Sequence, residues 1–238
     1  MTYFYDLHIH TVASACADIL QTPNNILNMS MLKGLDIISI CDHNTAKQYK
    51  TIDKIKDSFD FLVIYGMEVT VKEGFHVLTY FENYDDIMSL DELIDSSIDK
   101  KITTESINNK SLNDQVICNV YDLEEYVIPY FLNQKSISFS ELISITKKLG
   151  GIVIPAHIDR HNTGILDYIK DFSSYDIDGI EIYNIENIDQ LYTMYPYLKK
   201  YKYLHSSDAH DIDKINEREF SIELDELSFK SFKKWLKG

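Results

Sequence analysis

The 238-residue chain reads as an α/β protein in which strand and helix units wind around a parallel sheet to form a barrel. Three observations carry that reading. Short apolar runs alternate with amphipathic stretches, the pattern of strands joined by crossover helices. With 45% hydrophobic residues, 238 residues suffice for one substantial core, and barrels of this kind reach that length as a single domain. Six of the eight histidines (His8, His10, His43, His76, His157 and His210) fall at or just past the carboxyl ends of apolar runs, where such barrels carry their chemistry.

Tyr3 to Ile9 opens as a strand. Thr22 caps a helix with Pro23 in its first turn, and Gly34 stops it. Leu35 to Cys41 is the next strand, Ala46 to Ser58 a helix and Phe61 to Tyr65 a third strand. Val69 to Lys72 followed by Phe75 to Phe81 predicts a hairpin carrying His76. From Asn83 to Phe139 the periodicity weakens, apart from a helix-like Leu90 to Ile98, and residues 83–139 are read as an insertion over the barrel mouth rather than a second domain. Alternation then returns with a helix at Ser140 to Leu149 and strands at Gly151 to Pro155, Gly179 to Tyr183, Tyr203 to His205 and Phe220 to Leu224. A helix from Leu227 to Leu236 completes the series. Gly150-Gly151 serves as a helix stop, not a phosphate cradle.

The net charge of −15 argues against an extended nucleic-acid surface and favours a small substrate, although bound cations would make one cleft locally positive. Cys16, Cys41 and Cys118 are odd in number and lack Cys-x-x-Cys spacing, which predicts free thiols and a cytoplasmic location. The first residues lack the pattern of a signal peptide, and no run approaches the roughly 18 apolar residues of a membrane span.

Carboxylates accompany the histidines: Asp6-Leu-His8-Ile-His10, Cys41-Asp42-His43, Gly66-Met-Glu68, Pro155-Ala-His157 and Ser207-Asp208-Ala-His210. Two histidines spaced by two on a strand point to one face and can share a metal. Imidazole and carboxylate are ligands for divalent transition metals at neutral pH, so their recurrence at separate strand ends predicts a multinuclear site. Cys41 and Cys118 read as core, and the tyrosines as packing and cleft rim.

In their order along the chain these motifs resemble the polymerase and histidinol phosphatase (PHP) family of metal-dependent phosphoesterases. The matching stretches are Asp-Leu-His-Ile-His-Thr, Cys-Asp-His-Asn, Gly-Met-Glu-Val, Ile-Pro-Ala-His-Ile-Asp-Arg and Ser-Ser-Asp-Ala-His. The resemblance implies a distorted (β/α)7 TIM-like barrel and two or three divalent metals, with Zn, Mn and Fe all compatible with the ligand set. It places His8, His10, Glu68 and Asp208 on a first metal, with Glu68 bridging to a second held by His76 and His157. A third would take His43 and His210 with a ligand from the segment after His10, either Cys16 or Asp18, or would bind only with substrate present. Asp6 and Asp42 would stand behind the ligands and orient imidazoles, Asp42 being alternatively a helix cap.

Only two arginines occur, Arg160 and Arg218, each close to a metal motif. Guanidinium grips phosphate in a fork that lysine cannot form, so both are candidates for substrate binding, against the alternative of ion pairs with neighbouring acids. His161, beside Arg160, is a further candidate, while His205 reads equally as a packing residue. The implied reaction is hydrolysis of a phosphate ester of a small molecule or nucleotide by a metal-activated hydroxide, with Glu68, Asp208, His210 and Arg160 in catalytic roles. A metal-dependent amidohydrolase and a non-catalytic metal-binding module are the rivals. The amidohydrolase reading gives Arg160 no task, and the module would leave a costly set of buried polar groups unused.

Overall fold

The structure, a computed structural model, describes all residues from Met1 to Gly238. Strand β1 (Thr2–Ile9) leads into helix α1 (Pro23–Leu32) and β2 (Ile37–Ile40), then α2 (Tyr49–Ile55) and β3 (Leu62–Thr70). These three strands are parallel neighbours, as expected of crossover units. Thr22 is extended and Pro23 occupies the first turn of α1, while Gly34, at φ +68°, ends it in a left-handed conformation that a β-carbon would strain.

The expected hairpin is present but longer on its first arm. Val69 continues β3 instead of starting a new strand, and β4 (His76–Phe81) returns antiparallel to it, pairing Thr70 with His76. Strand β7 (Ile152–Pro155) then pairs antiparallel with β4, and β10 (Ser221–Glu223) antiparallel with β1. The curled six-stranded sheet therefore runs β10-β1-β2-β3-β4-β7.

Strands β8 (Ile180–Glu181) and β9 (Tyr203–Leu204) form a separate parallel pair. Backbone bonds tie β8 and the loop after β9 to both sides of the curl, Ile158 N–H donating to Glu181 O at 2.8 Å and His10 N–H to Ala209 O at 3.0 Å. The carboxyl ends of β1, β2, β7, β8 and β9, and the amino end of the reversed β4, thereby meet at one mouth.

Residues 83–139 contain elements that weak periodicity concealed. Helix α3 (Tyr84–Ser97) starts six residues before its apolar run, and β5 (Gln115–Cys118) and β6 (Glu124–Ile128) form a small hairpin. Helix α4 (Phe139–Lys148) opens with a capping box in which Ser138 and Glu141 satisfy each other's backbone N–H groups. Helix α5 (Ile188–Met194) links β8 to β9, and α6 (Phe229–Lys237) is capped by Ser228.

Apolar side chains form two clusters. The larger, of 41 buried residues, joins Ile38, Ile40, Val63 and Tyr65 to the helices. The smaller, of 16, gathers Leu7, Ile37, Ile64, Leu78, Tyr80 and Ile152 and is closed by Phe229, Phe232 and Leu236 of α6. Close packing of β2 on β3 demands Gly66, where a β-carbon would lie 2.6 Å from Cys41 Sγ and 2.9 Å from Ile40 O. That approach sets the β3 backbone beside β2 two residues before Glu68.

Candidate metal centre

Glu68, fully buried on β3, is the hub of the mouth. Its Oε1 lies 2.8 Å from His76 Nδ1 and 2.9 Å from His157 Nε2. Its Oε2 lies 2.8 Å from His43 Nδ1, 3.4 Å from His10 Nε2 and 3.5 Å from His8 Nε2. Asp208 approaches from the loop after β9, with Oδ1 3.1 Å from His10 Nε2 and 3.4 Å from His8 Nε2.

Three sets of ligand atoms each converge to within 4.8 Å: His8, His10, Glu68 and Asp208; His43, Glu68 and His76; and His10, His43 and His210. His157 touches Glu68 without joining a set, and His43 serves two. Cys16 is exposed and Asp18 half-buried, its carboxylate accepting from Leu20 N–H at 2.8 Å; both stand outside the three sets.

Neighbouring polar groups fix which imidazole nitrogen faces the cluster. His8 Nδ1 donates to the Glu181 carboxylate at 3.1 Å, and His210 Nδ1 to the Asp208 carbonyl at 2.8 Å. His10 Nδ1 donates to Ser14 Oγ at 3.0 Å, because the Ser14 hydroxyl itself donates to Asp42 Oδ1 at 2.8 Å. His8 and His10 therefore both turn Nε2 lone pairs inward, 3.2 Å apart. Two lone pairs and two carboxylates at that separation repel unless a cation lies among them.

The remaining geometry agrees with that demand. Glu68 Oε2 and His43 Nδ1 are close but not aligned to hydrogen-bond, and both are buried without a hydrogen-bond partner, as is His157 Nδ1. In the absence of a metal ion, protons on some of these imidazoles supply the positive charge instead. Burial opposes charge on Glu68, but His76, His8 and His43 prevail and hold its pKa well below the ordinary range. Burial likewise opposes charge on His8, yet Glu181, Asp208 and Glu68 raise its pKa well above the ordinary value. The donors present fit divalent ions of the nitrogen- and oxygen-binding kind.

Asp6 and Asp42 take different tasks. Asp42 accepts from Thr11 N–H and Ser14 Oγ, reaching His10 only through Ser14, and is no helix cap. Asp6 meets no imidazole ring; it accepts from Ser207 N–H at 3.1 Å and Asn216 N–H at 2.9 Å, fixing the loop that carries Asp208. Glu181 is the functional candidate that sequence reasoning missed, buried at the end of β8 and accepting from His157 N–H at 2.9 Å as well as from His8. The available signal was a carboxylate inside the apolar run Gly179 to Tyr183.

His157 and Asp208 adopt positive φ, 27° and 51°, strain that concentrates where side chains are aimed at a common point. Arg160 follows His157 in a tight turn that needs Gly164, whose β-carbon would meet the His157, Ile158 and Arg160 carbonyls. Its Nη1 donates to Asp208 Oδ2, and its guanidinium lies 5.0 Å above the Tyr183 ring. Arg160, Tyr183, Asp208 and His210 line a cleft of about 600 Å³ beside the cluster. His205 also lines it, its Nδ1 bonded to the Ile182 carbonyl.

Two candidates are not brought there. His161 is exposed and bonds Asp167 at 2.8 Å. Arg218 lies at the amino ends of β1 and β2, donating to Gly34 O at 3.1 Å and covering the Phe4 ring at 4.3 Å.

No model of a known protein family matches the chain. An uncharacterized protein of Methanocaldococcus jannaschii is 33% identical over 88 residues, which cover 34% of this chain and 51% of that protein. Among solved structures, the lesion-specific endonuclease Q of Pyrococcus furiosus superposes over 100% of this chain with a TM-score of 0.67 and 17% identity. The chain spans only 56% of that endonuclease. A Bifidobacterium adolescentis protein assigned as a metal-dependent phosphoesterase matches over 98% of this chain and 95% of its own, with a TM-score of 0.58 and 17% identity. An amidohydrolase from Chromobacterium violaceum matches over 94% and 93%, with a TM-score of 0.60 and 14% identity. The chain shares the fold of these hydrolases. That fold accords with the PHP resemblance of the motifs, and the buried His, Glu and Asp cluster accords with a metal-dependent hydrolase.

Proposed function

We propose that the chain is a PHP-type phosphoesterase that hydrolyses a phosphate ester of a small molecule or nucleotide in the cytoplasm, using a seven-unit distorted barrel with residues 83–139 as an insertion at its mouth. The observation that carries this reading is the pairing of Glu68, at the centre of five imidazoles, with Arg160 on the wall of the adjoining cleft.

His8, His10, Glu68 and Asp208 would hold one divalent ion; Glu68 with His43, His76 and His157, and His10 with His43 and His210, would hold others. When bound, Zn, Mn or Fe supplies a water of lowered pKa and neutralises phosphate charge. The residues of the chain do the rest. Arg160 spends one guanidinium N–H group on Asp208 and keeps the remaining donors of its fork for phosphate oxygens. Its position over Tyr183 restrains the fork before substrate arrives. His210 presents Nε2 to the cluster, because Nδ1 is committed to the Asp208 carbonyl. Burial of Glu68 and His8 keeps bulk water from screening these charges.

A nucleic-acid phosphodiester is a second substrate reading, favoured by the fold shared with endonuclease Q, which has been solved with a 27-mer duplex carrying an abasic lesion at its active site. Phosphate release from sugar, amino-alcohol and nucleotide monoesters, set beside cleavage of an oligonucleotide, separates the two. Both assays are run on metal-replete and chelated protein. Turnover of amides with none of any phosphoester would replace the proposal with an amidohydrolase; bound metal with no turnover would leave a binding module.

A further inference from the structure

A second pocket, of about 490 Å³, contains none of the candidate metal ligands. Tyr203, at the start of β9, lines it, whereas His205 to Asp208 and His210, beyond the end of that strand, line the cleft. The two share no lining residue, and Phe220 of the pocket packs edge-on against His205 of the cleft, with ring centres 4.4 Å apart. Strand β10 and the last turn of α6 supply the other walls. The volume falls within the roughly 300 to 1,000 Å³ usual for small-ligand sites.

The charge of this pocket inverts that of the chain. Lys199, Lys200, Lys202 and Lys237 line it, and none of its 14 lining side chains is acidic, although the chain carries 38 Asp and Glu against 23 Lys and Arg. None of the four lysines is in an ion pair. Lys200 Nζ donates to Ser173 O at 2.8 Å, and Lys202 Nζ stands 5.5 Å from the Trp235 ring centre. Four lysines thus line one cavity with no carboxylate side chain among them to neutralise their charge.

Flat rings complete the wall. Tyr192, Tyr203, Phe220 and Trp235 all line the pocket, with Tyr203 exposed and Trp235 half-buried. Ammonium groups are compact phosphate binders, and aromatic faces stack on bases of any identity. A bare phosphate would need only the lysines, and an uncharged aromatic only the rings. We infer that this pocket binds a nucleoside phosphate, either a free nucleotide or an unpaired nucleotide of a strand. The site is separate from the proposed hydrolytic centre, and its occupancy does not depend on what that centre cleaves.

Trp235 is the single tryptophan of the chain; it lines this pocket and not the cleft beside the metal centre, so its emission distinguishes the two. The test is a titration of the full-length, metal-replete protein with AMP, adenosine, inorganic phosphate and a 5′-phosphorylated thymidine oligonucleotide, read by tryptophan emission. AMP or the oligonucleotide should give a saturable change, with adenosine and phosphate each weaker by about tenfold or more. Tighter binding of the oligonucleotide identifies a strand, and equal binding a free nucleotide. Lys199→Glu with Lys202→Glu should weaken binding by a further tenfold or so, with an unchanged circular-dichroism melt. If that pair fails to fold, Tyr203→Ala should produce the weakening instead. Glu68→Ala should leave it intact. No saturable change, equal response to phosphate alone, indifference to the pocket substitutions, or loss of the signal in Glu68→Ala would each overturn the inference.

Discussion

His8 Nδ1 lies 3.1 Å from a carboxylate oxygen of Glu181, a residue 173 positions away and buried with it. The same carboxylate holds the His157 backbone N–H at 2.9 Å, so one side chain orients two members of the cluster. Glu181→Ala removes both acceptors and frees the His8 ring to turn. Metal affinity should fall about 10- to 100-fold, the usual cost of losing such a support. Competition with a chelator measures it, and excess metal should restore activity. Unchanged metal retention would show that Glu181 serves the fold alone.

Ser14 offers a finer test of the same principle. Its hydroxyl passes the charge of Asp42 to His10 Nδ1 and also accepts from His43 N–H at 3.2 Å. Ser14→Ala leaves the buried Asp42 its two bonds to Thr11 but leaves His10 without a fixed tautomer. The expected result is a loss of about 1 to 2 kcal/mol in folding stability together with weaker metal binding, read by melting with and without added metal. Asp42→Asn should reproduce the metal defect.

The parts of this arrangement that were legible in the sequence are those that repeat. His8 and His10, Asp42-His43, Glu68, His157 and Asp208-x-His210 each sit at a strand end, so a period and a residue type sufficed to mark them, and the structure gathers their side chains at one mouth. The β3–β4 hairpin was legible for the same reason. Glu181 was not, because a single carboxylate in an apolar run carries no period. Its meaning comes from β8 lying beside β7 and across from β1. The β5–β6 hairpin escaped because the first four residues of β6 are exposed and only Ile128 at its end is buried, so the strand shows no alternation. Arg218 looked like a cleft residue by its distance along the chain from His210. The chain between them instead runs back to the amino ends of the strands.

Arg160 and Arg218 accordingly have opposite expectations. Arg160→Ala should raise KM for a phosphoester and lower kcat/KM by about two orders of magnitude, the scale of one charge-assisted group lost from a transition state. Arg160→Lys should recover only part, since the fork is lost. Arg218→Ala should leave the kinetics unchanged and cost about 1 kcal/mol of stability, from its Gly34 bond and its position over Phe4. A kinetic defect in the Arg218 variant would move the substrate site.

Acid stability should report the network that fastens α3 to the segment after β2. Lys47 Nζ bonds Asp91 at 3.0 Å and Asp95 at 2.9 Å, and Lys100 and Tyr130 also donate to Asp95. Partial burial opposes charge on Asp95, but Lys100, Tyr130 and Lys47 outweigh it and lower its pKa to about 2. A carboxylate whose folded pKa lies below its unfolded value, about 3.9, contributes stability above that value and loses it as pH falls toward 2. Asp95→Asn should therefore destabilise the protein by about 1 to 2 kcal/mol at neutral pH, and the gap to the parent chain should close as pH falls from about 4 to 2. Urea melts across that interval decide the matter. A gap that persists unchanged at the acid end would mean that Asp95 acts through its shape and neutral hydrogen bonds instead of its charge.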